Sequence, residues 1–301
     1  MRNANALYKL DANKILASEY PLQQTPEKNS LSASSRDFCP TDEMFLNNIA
    51  HELRTPINVV LGSIQLFEMM GDDLFLLYNR NKFKVYNNIM KQNCYRLLRA
   101  VNNLIDISRI ESGSFCLFLA NHDIVDIVNE IIKNAKVYAA KKGITLKFNS
   151  ANKEILTAFD EDKISRVILN LLSNAIKFTP DGGSISVSIR ANAEKVYISV
   201  KDTGIGIPAD QLDNIFKRYV QVEKTLSKNY EGGGIGLFLA DSIVRLHEGT
   251  ISVKSSPEKG STFTIELPVK KIDKIQSKKE LGSELNLSPA ETVKIELSDL
   301  Y

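Results

Sequence analysis

A repeat of apolar residues between positions 46 and 67 constrains the fold of this chain more than any other feature. Its members recur at spacings of four and three, which is typical of a long helix that packs on another helix; they are Leu46, Ala50, Leu53, Ile57, Val60, Ile64 and Phe67. Gly71-Asp72-Asp73 interrupts this pattern, and a second helical pattern runs from about residue 83 to 108. The two patterns together predict an antiparallel helical hairpin.

One hairpin leaves half of such an apolar stripe uncovered. We therefore expect two copies of the chain to pair as a four-helix bundle, so that the protein is a homodimer. The alternative is that the stripe packs on another domain of the same chain.

The pattern changes after Glu111-Ser112-Gly113, where short β-type runs begin to alternate with helical ones. This alternation, with a hairpin around Ala191-Asn192, predicts one sheet covered by helices on one face. The predicted strands lie near 144–148, 155–159, 185–190, 196–201, 250–254 and 262–267, and the helices near 123–142, 160–178 and 234–247. The fold class is therefore α+β, a helical-hairpin dimerisation domain followed by an α/β sandwich.

These patterns divide the chain into four parts. Residues 1–40 are polar and proline-broken, as in a flexible arm or linker. The hairpin occupies residues 41–112 and the α/β sandwich residues 113–268. Residues 269–301 form a polar tail too short for another ordinary domain.

Composition narrows the classes of partner. The net charge is +2 and basic residues form no block, so nucleic acid is not expected to bind. No apolar run reaches about 18 residues, so we expect no membrane segment in this chain. Cys39, Cys94 and Cys116 match no metal or redox spacing and are interpreted as reduced thiols, which favours a cytoplasmic location.

His51 follows Ala50 of the apolar stripe and is rotated by about 100° from it, toward solvent. Glu52 is adjacent, and a carboxylate beside an imidazole can hold one ring nitrogen protonated while the other acts as nucleophile. Thr55 lies one turn further on the same face, and Pro56 predicts a bend. Taken alone, an exposed histidine of this kind is usually ordinary helix surface.

A second set of polar residues lies in the 160–178 helix. Asn170, Asn174 and Lys177 are spaced by four and three, so they share one face. Amide oxygens can ligate a hard cation such as Mg²⁺ or its waters, and a lysine offers a point charge to phosphate oxygens. The face fits a magnesium nucleotide, although the same pattern also occurs on solvated helix surfaces.

Two glycine-containing segments complete the candidate site. Asp202-Thr203-Gly204-Ile205-Gly206 follows a predicted strand, and its carboxylate can accept a hydrogen bond from an exocyclic amine such as that of adenine. The run from Gly232 to Leu237 opens a helix, where backbone amides attract phosphate. It lacks the Gly-Lys-Ser/Thr of a Walker loop, and no parallel βαβ unit follows it.

In this order the segments resemble the sensor histidine kinases of two-component systems. The run His51-Glu52-Leu53-Arg54-Thr55-Pro56 is similar to their phosphoacceptor box, and the rest resembles the ATP-binding domain shared with DNA gyrase, the ninety-kilodalton heat-shock chaperones and MutL proteins. The matching boxes are 170–178 (asparagine), 202–208 (first glycine), 215–216 (phenylalanine), 232–237 (second glycine) and 260–263 (closing motif).

The resemblance implies a role for each matched residue. Asn174, helped by Asn170, would coordinate Mg²⁺, Lys177 would contact the phosphates of ATP, Phe178 would lie against the purine and Asp202 would bind the adenine amine. Backbone at the glycine boxes would line the nucleotide, at Gly204, Gly206, Gly232, Gly234, Gly236 and Leu237. Residues from about 219 to 231 would form a lid.

The implied activity is ATP-dependent autophosphorylation of His51 with Glu52 as base, then phosphoryl transfer to an aspartate in the receiver domain of a separate response regulator. Thr55 matches the position that orients water for dephosphorylating that regulator.

Asn170 stands where the hydrolysing relatives carry a glutamate base, which favours transfer over hydrolysis. Gln221 stands where many sensor kinases have an arginine, so Arg218 or Lys224 is left to contact phosphate. A dimeric ATP-binding scaffold and a chaperone-like ATPase are the competing hypotheses.

Overall fold

The first two helices form the predicted hairpin. In the computed structural model, which describes residues 40–69, 80–218, 234–273 and 288–300, α1 spans Pro40–Met69 and α2 spans Arg80–Glu111, and the two pack on each other. Helix α1 continues through Pro56. Most of the expected interruption between the helices falls on residues 70–79, which lie outside the described part of the chain.

The stripe on this hairpin faces outward in the single chain. Ile57 and Ile64 of α1 are 43% and 41% exposed, and Val101 and Ile105 of α2 are 39% and 41% exposed. The second domain of the same chain therefore does not cover these four side chains. The opposite side of α2 is buried against that domain, because Ile107 is only 1% exposed.

The second domain is the predicted α/β sandwich. Its helices are α3 (Ile124–Lys141), α4 (Glu161–Phe178) and α5 (Gly236–Leu246), and its strands are β1 (Ala120–Asp123), β2 (Thr145–Ser150), β3 (Leu156–Phe159), β4 (Ser184–Ala191), β5 (Lys195–Asp202), β6 (Thr250–Ser256) and β7 (Gly260–Pro268). Five strands form one sheet in the order β2-β4-β5-β7-β6, in which only β2 and β4 pair in parallel. Along β4, buried and exposed residues alternate, so one face of the sheet carries the core and the helices.

One strand differs from the prediction of a single sheet. Strand β3 pairs antiparallel with β1 in a separate two-stranded sheet. Its other edge is closed by the segment after β7, because the backbone N–H of Ala158 and the hydroxyl of Thr157 both donate to the carbonyl of Lys270. Strand β3 is four residues long, and these contacts satisfy it without the main sheet.

Helix α4 is the centre of the core. Ile164, Ile168, Leu172 and Ile176 on this helix are all fully buried. Asp160 caps its first turn, since its carboxylate accepts a hydrogen bond from the backbone N–H of Lys163. The apolar side of α4 therefore fixes the helix in the core. The same helix carries the predicted polar residues Asn170, Asn174 and Lys177.

Residues 288–300 add an element that the polar composition of the tail did not indicate. Helix α6 (Pro289–Glu296) begins with a capping box between Ser288 and Glu291. It contacts α2, α3 and α4. Its apolar residues and those just after it are buried, namely Val293, Ile295, Leu297 and Leu300. Among the described helices, none is both long and apolar enough to cross a bilayer.

His247, which follows α5, links that helix to the start of α4. Its Nε2 accepts a hydrogen bond from the backbone N–H of Asp160 at 3.1 Å, and its Nδ1 lies 2.8 Å from the carbonyl oxygen of Ile243. The ring is therefore neutral, with its proton on Nδ1. Burial lowers the pKa of His247 below its ordinary value of 6.5.

We expect the free energy of unfolding to decrease as the pH falls below about 6.5, because the unfolded state then takes up the proton that folded His247 resists. The slope from this group is at most about 1.4 kcal/mol per pH unit. Urea denaturation followed by circular dichroism at several pH values should show this slope in the parent and a smaller one in His247→Gln. The matched control is His122→Gln, which alters a half-exposed histidine paired with Glu161 and shows what loss of a second histidine does to the measured slope. Equal slopes in the parent and His247→Gln would contradict the assignment.

Candidate functional site

The predicted polar face exists on α4. Asn170 is buried and Asn174 is half-buried one turn later, while Lys177 is 6% exposed. The Oδ1 atom of Asn170 accepts a hydrogen bond from the Arg99 guanidinium of α2 at 3.4 Å, and its Nδ2 is buried without a hydrogen-bond partner in the described part of the chain. Such an unsatisfied buried amide is costly, and it marks this surface as one prepared for further polar contacts.

Several charges converge on Lys177. Burial lowers its pKa; the carboxylates of Asp299 and Glu52 oppose this effect, and the guanidinium groups of Arg99 and Arg96 add to it. The influence of Glu52 is informative, because Glu52 lies on α1 next to His51. The acceptor turn of α1 is therefore within electrostatic range of the polar face of α4.

His51 is exposed on α1, as its position beside the stripe predicts. Ala50 is also exposed in the single chain. Thr55 is on the exposed face as well, and its hydroxyl donates to the carbonyl oxygen of His51 at 3.1 Å. His51 and Thr55 thus lie together on one exposed stretch of α1, and Glu52 between them is half-buried.

Asp202 is placed at the end of β5 with a directed carboxylate. Its Oδ1 accepts hydrogen bonds from the backbone N–H groups of Gly204 at 2.7 Å and Ser261 at 3.1 Å. Burial raises the pKa of Asp202, and these hydrogen bonds oppose the increase. Because both bonds fall on Oδ1, the side chain is fixed in orientation, as a group that reads a ligand must be.

The glycines of this loop are required by close packing. A Cβ on Gly204 would lie 2.7 Å from the carbonyl oxygen of Phe178, and one on Gly206 would lie 1.9 Å from that of Ser256. The φ angle of Gly206 is also positive, at 71°. Only glycine fits at these positions, so the loop lies directly against the end of α4.

The second glycine segment is described from Gly234 onward, and Gly232 lies outside the described residues. Gly236 begins α5, and a Cβ there would lie 2.4 Å from Oδ1 of Asn170. Leu237 is half-buried beside the core. The amino-terminal end of α5 therefore meets the polar face of α4, which is the arrangement that a bound phosphate requires.

The side-chain oxygens on the polar face of α4 fit a magnesium ion bound to a nucleotide better than a metal ion held by protein ligands alone. Within residues 40–69, 80–218, 234–273 and 288–300, no three histidine, cysteine, aspartate or glutamate side chains converge as ligands. The amide oxygens of Asn170 and Asn174 are neutral donors, which suit an ion that takes its remaining oxygens from phosphate and water.

Arg218 was named by the sequence as a substitute phosphate contact. In the structure it forms an ion pair with Glu111 at the end of α2, and its guanidinium lies 4.5 Å from the centre of the Phe238 ring. In this arrangement its charge is directed at α2. Gln221, Lys224 and the expected lid fall within the undescribed residues 219–233.

Two protein families match this chain, one over the helical hairpin and one over most of the α/β sandwich. Residues 42–113 match the His Kinase A (phospho-acceptor) domain, and residues 159–271 match the histidine kinase-, DNA gyrase B-, and HSP90-like ATPase. The chain belongs to the sensor histidine kinases. The matches confirm the family that the acceptor box and the glycine boxes predicted. They also confirm the predicted α+β fold class.

Individual relatives agree with this assignment. The kinase is 32% identical over 262 residues to the non-motile and phage-resistance protein of Caulobacter vibrioides, covering 86% of this chain and 30% of that protein. It is 32% identical over 258 residues to the autoinducer 2 sensor kinase/phosphatase LuxQ of Vibrio parahaemolyticus, covering 82% of this chain and 28% of LuxQ. The chain thus spans less than a third of the length of these curated relatives.

Among solved structures, full-length ShkA in complex with AMPPNP superposes with a TM-score of 0.57 at 25% identity, over 76% of this chain and 46% of that one. Histidine kinase ThkA in complex with the response regulator protein TrrA gives a TM-score of 0.53 at 23% identity, over 76% of this chain and 61% of that one, and shares the fold.

Sequence patterns missed the charged residues that meet α4 from outside the family boxes. Arg99 and Asp299 both lie at the polar face, yet neither belongs to a recognised motif. The capping box at Ser288, with apolar residues after it, was the signal that a helix begins there. No local pattern indicated where that helix would dock.

We predict that Asp202→Asn weakens nucleotide binding at least about tenfold, or about 1.4 kcal/mol. The amide keeps an oxygen for the Gly204 and Ser261 N–H groups but places an NH₂ where the second carboxylate oxygen would accept from the adenine amine. Calorimetric titration with AMPPNP and Mg²⁺ measures the effect. Asp210→Asn, at an exposed aspartate nearby, is the matched control. Equal affinity in Asp202→Asn and the parent would remove Asp202 from adenine recognition.

Proposed function

We propose that this kinase transfers the γ-phosphoryl group of ATP to His51 and then passes it to an aspartate in the receiver domain of a separate response regulator. The observation that carries the proposal is the meeting of the start of α5 with the polar face of α4, where a Cβ on Gly236 would lie 2.4 Å from Oδ1 of Asn170. The carboxylate of Glu52, next to the exposed His51, also opposes the lowering of the pKa of Lys177 on that face.

Each part of the site takes a distinct task. Asn174 and Asn170 would hold Mg²⁺, and Lys177 with the amides at the start of α5 would neutralise phosphate charge. Asp202 would accept from the adenine amine and Phe178 would lie against the purine, while Gly204, Gly206, Gly234 and Gly236 allow backbone to approach the ligand. Positioning and charge neutralisation supply most of the catalysis in such a transfer.

The transfer itself needs an unprotonated ring nitrogen on His51. That nitrogen forms a bond to the γ-phosphorus as the bond to the bridging oxygen breaks and ADP leaves. The ring becomes positively charged as this bond forms, and Glu52 then takes the proton from the other ring nitrogen, which leaves a neutral phosphorylated imidazole and a protonated Glu52. Asn170 cannot activate water as a glutamate does, so hydrolysis is disfavoured.

We expect the chain to become labelled when it is incubated with Mg²⁺ and γ-labelled ATP. The label should be stable to base and labile to acid, because it resides in a phosphorus–nitrogen bond, and His51→Gln should abolish it. The matched control is His122→Gln, which should label normally. Label that persists in His51→Gln would exclude His51 as acceptor, and absence of label despite nucleotide binding would favour a scaffold.

The same preparation can report a phosphatase activity. Thr55 lies one turn from His51, in the position expected to orient water toward a phosphorylated regulator. Thr55→Ala should then keep the label on His51 but slow the dephosphorylation of the regulator. Equal dephosphorylation by Thr55→Ala and the parent would exclude this role.

We further propose that the kinase is a homodimer in which the exposed stripe of α1 and α2 forms a four-helix bundle. Ile57, Ile64, Val101 and Ile105 are each about two-fifths exposed in the single chain, and they lie on helices of the same hairpin. Isolated apolar side chains on a surface are common, but a continuous stripe at helical spacing indicates a partner helix.

Ile57→Asp is therefore expected to shift the particle mass from that of a dimer toward the chain mass of 33.6 kDa, because it places a charge in the apolar seam. Sedimentation equilibrium measures the mass. Val137→Asp, at a residue of α3 that is 64% exposed, is the matched control and should leave it unchanged. A parent protein that sediments as a monomer would contradict the proposal.

A further inference from the structure

The 288–300 segment lies against α2 and α4, and it is held there by both apolar and charged contacts. Leu297 is completely buried, and Val293 and Leu300 also join the core of the second domain. This segment is outside the ranges that match the two kinase families. Its packing is therefore a property of this chain that family membership does not account for.

Charged side chains on α2 and α4 engage the acidic residues of the segment. Glu296 accepts a hydrogen bond from Arg99 of α2 at 3.1 Å and another from Arg166 of α4 at 3.1 Å. Asp299 pairs with Arg99 at 2.8 Å. Glu296 is only 5% exposed, so these charges are well matched in a site with little water.

The backbone of the segment is also recognised. The carbonyl oxygen of Ser298 accepts hydrogen bonds from the side chains of Gln92 at 3.2 Å and Arg96 at 2.9 Å, both on α2. Backbone contacts of this kind fix the position of a peptide on a surface, while contacts to charged and apolar side chains determine which sequences bind. We call the surface between α2 and α4 that carries Gln92, Arg96, Arg99 and Arg166 the groove, and the segment lies in it.

The same contacts reach the proposed nucleotide face. The hydroxyl of Ser173, which lies between Asn170 and Asn174 on α4, donates to Asp299 at 3.0 Å. Burial alone would raise the pKa of Asp299, but the positive charges of Arg99 and Lys177 outweigh this effect and lower the pKa. Arg99 donates to the amide oxygen of Asn170. The Asp299 carboxylate is thus held one turn of α4 from Lys177, the residue proposed to contact phosphate. The Arg99 guanidinium is hydrogen-bonded to an oxygen proposed to bind Mg²⁺.

We propose that the groove between α2 and α4 binds the 288–300 segment in competition with magnesium ATP, so that the segment inhibits the kinase to which it belongs. This inference rests on the proposed use of Asn170, Asn174 and Lys177 for the magnesium nucleotide. Asp299 repels the triphosphate and Arg99 repels the cation, and each occupies a partner that the ligand needs. Binding of the nucleotide therefore requires release or displacement of Asp299 and Arg99.

Asp299→Asn tests the competition with little change of shape. It keeps an oxygen for Ser173 and removes the charge next to Lys177. We expect it to bind AMPPNP with Mg²⁺ at least about fivefold more tightly than the parent in calorimetric titration, and to label faster at His51. Lys294→Gln is the matched control, because it removes an exposed charge of the same helix and should leave affinity unchanged.

A chain ending at residue 287 provides a second test, although loss of Leu297 and its neighbours from the core can unfold it. If it remains folded by circular dichroism, it should bind AMPPNP more tightly, and a synthetic peptide of residues 288–301 should restore the weaker affinity. An unchanged affinity in Asp299→Asn, with normal labelling of His51, would overturn the inference and leave the kinase proposal intact. Tighter binding without any label would support the inference and overturn the phosphotransfer.

Discussion

A buried cluster of guanidinium and carboxylate groups joins the two domains of this kinase. Arg166 of α4 pairs with Asp106 of α2 and with Glu296, and Glu296 also pairs with Arg99 of α2. Removing one member of such a cluster leaves an uncompensated buried charge, at a cost of about 3–5 kcal/mol. Burial of each charged group is therefore stable only while its partners stay in place. The position of the nucleotide-binding domain on α2 therefore depends on this cluster.

Helix α4 combines two functions on opposite sides. Its apolar side, with Ile168 and Leu172, fixes it in the core, and its polar side presents Asn170 and Lys177. Because the helix is rigid, a shift of the domain on α2 moves the whole polar face relative to His51. Arg99 contacts that face at Asn170, and under our proposal the nucleotide has to replace this contact.

The sequence predicted the elements that have a local cause. The heptad spacing predicted α1 and α2, and the boxes around Asn170 and Asp202 predicted the polar face of α4 and the glycine loop against it, because periodicity and glycine requirements depend on neighbouring residues. The pairing of β3 with β1 was missed, since it depends on a distant segment that closes the strand edge at Lys270. Arg99 and Asp299 were missed for the same reason: their role exists only through contacts between residues about 200 positions apart. The docking of α6 needed knowledge of a groove that only the folded domains create.

Amide hydrogen exchange with and without AMPPNP and Mg²⁺ tests most directly whether the nucleotide replaces the contacts that residues 288–300 and Arg99 make with the polar face of α4. We expect slower exchange in the amides around Asp202 and at the start of α5, and faster exchange in residues 288–300, because the ligand displaces that segment as it binds. Slower exchange in all three regions would show that nucleotide and segment bind together, which would contradict the account.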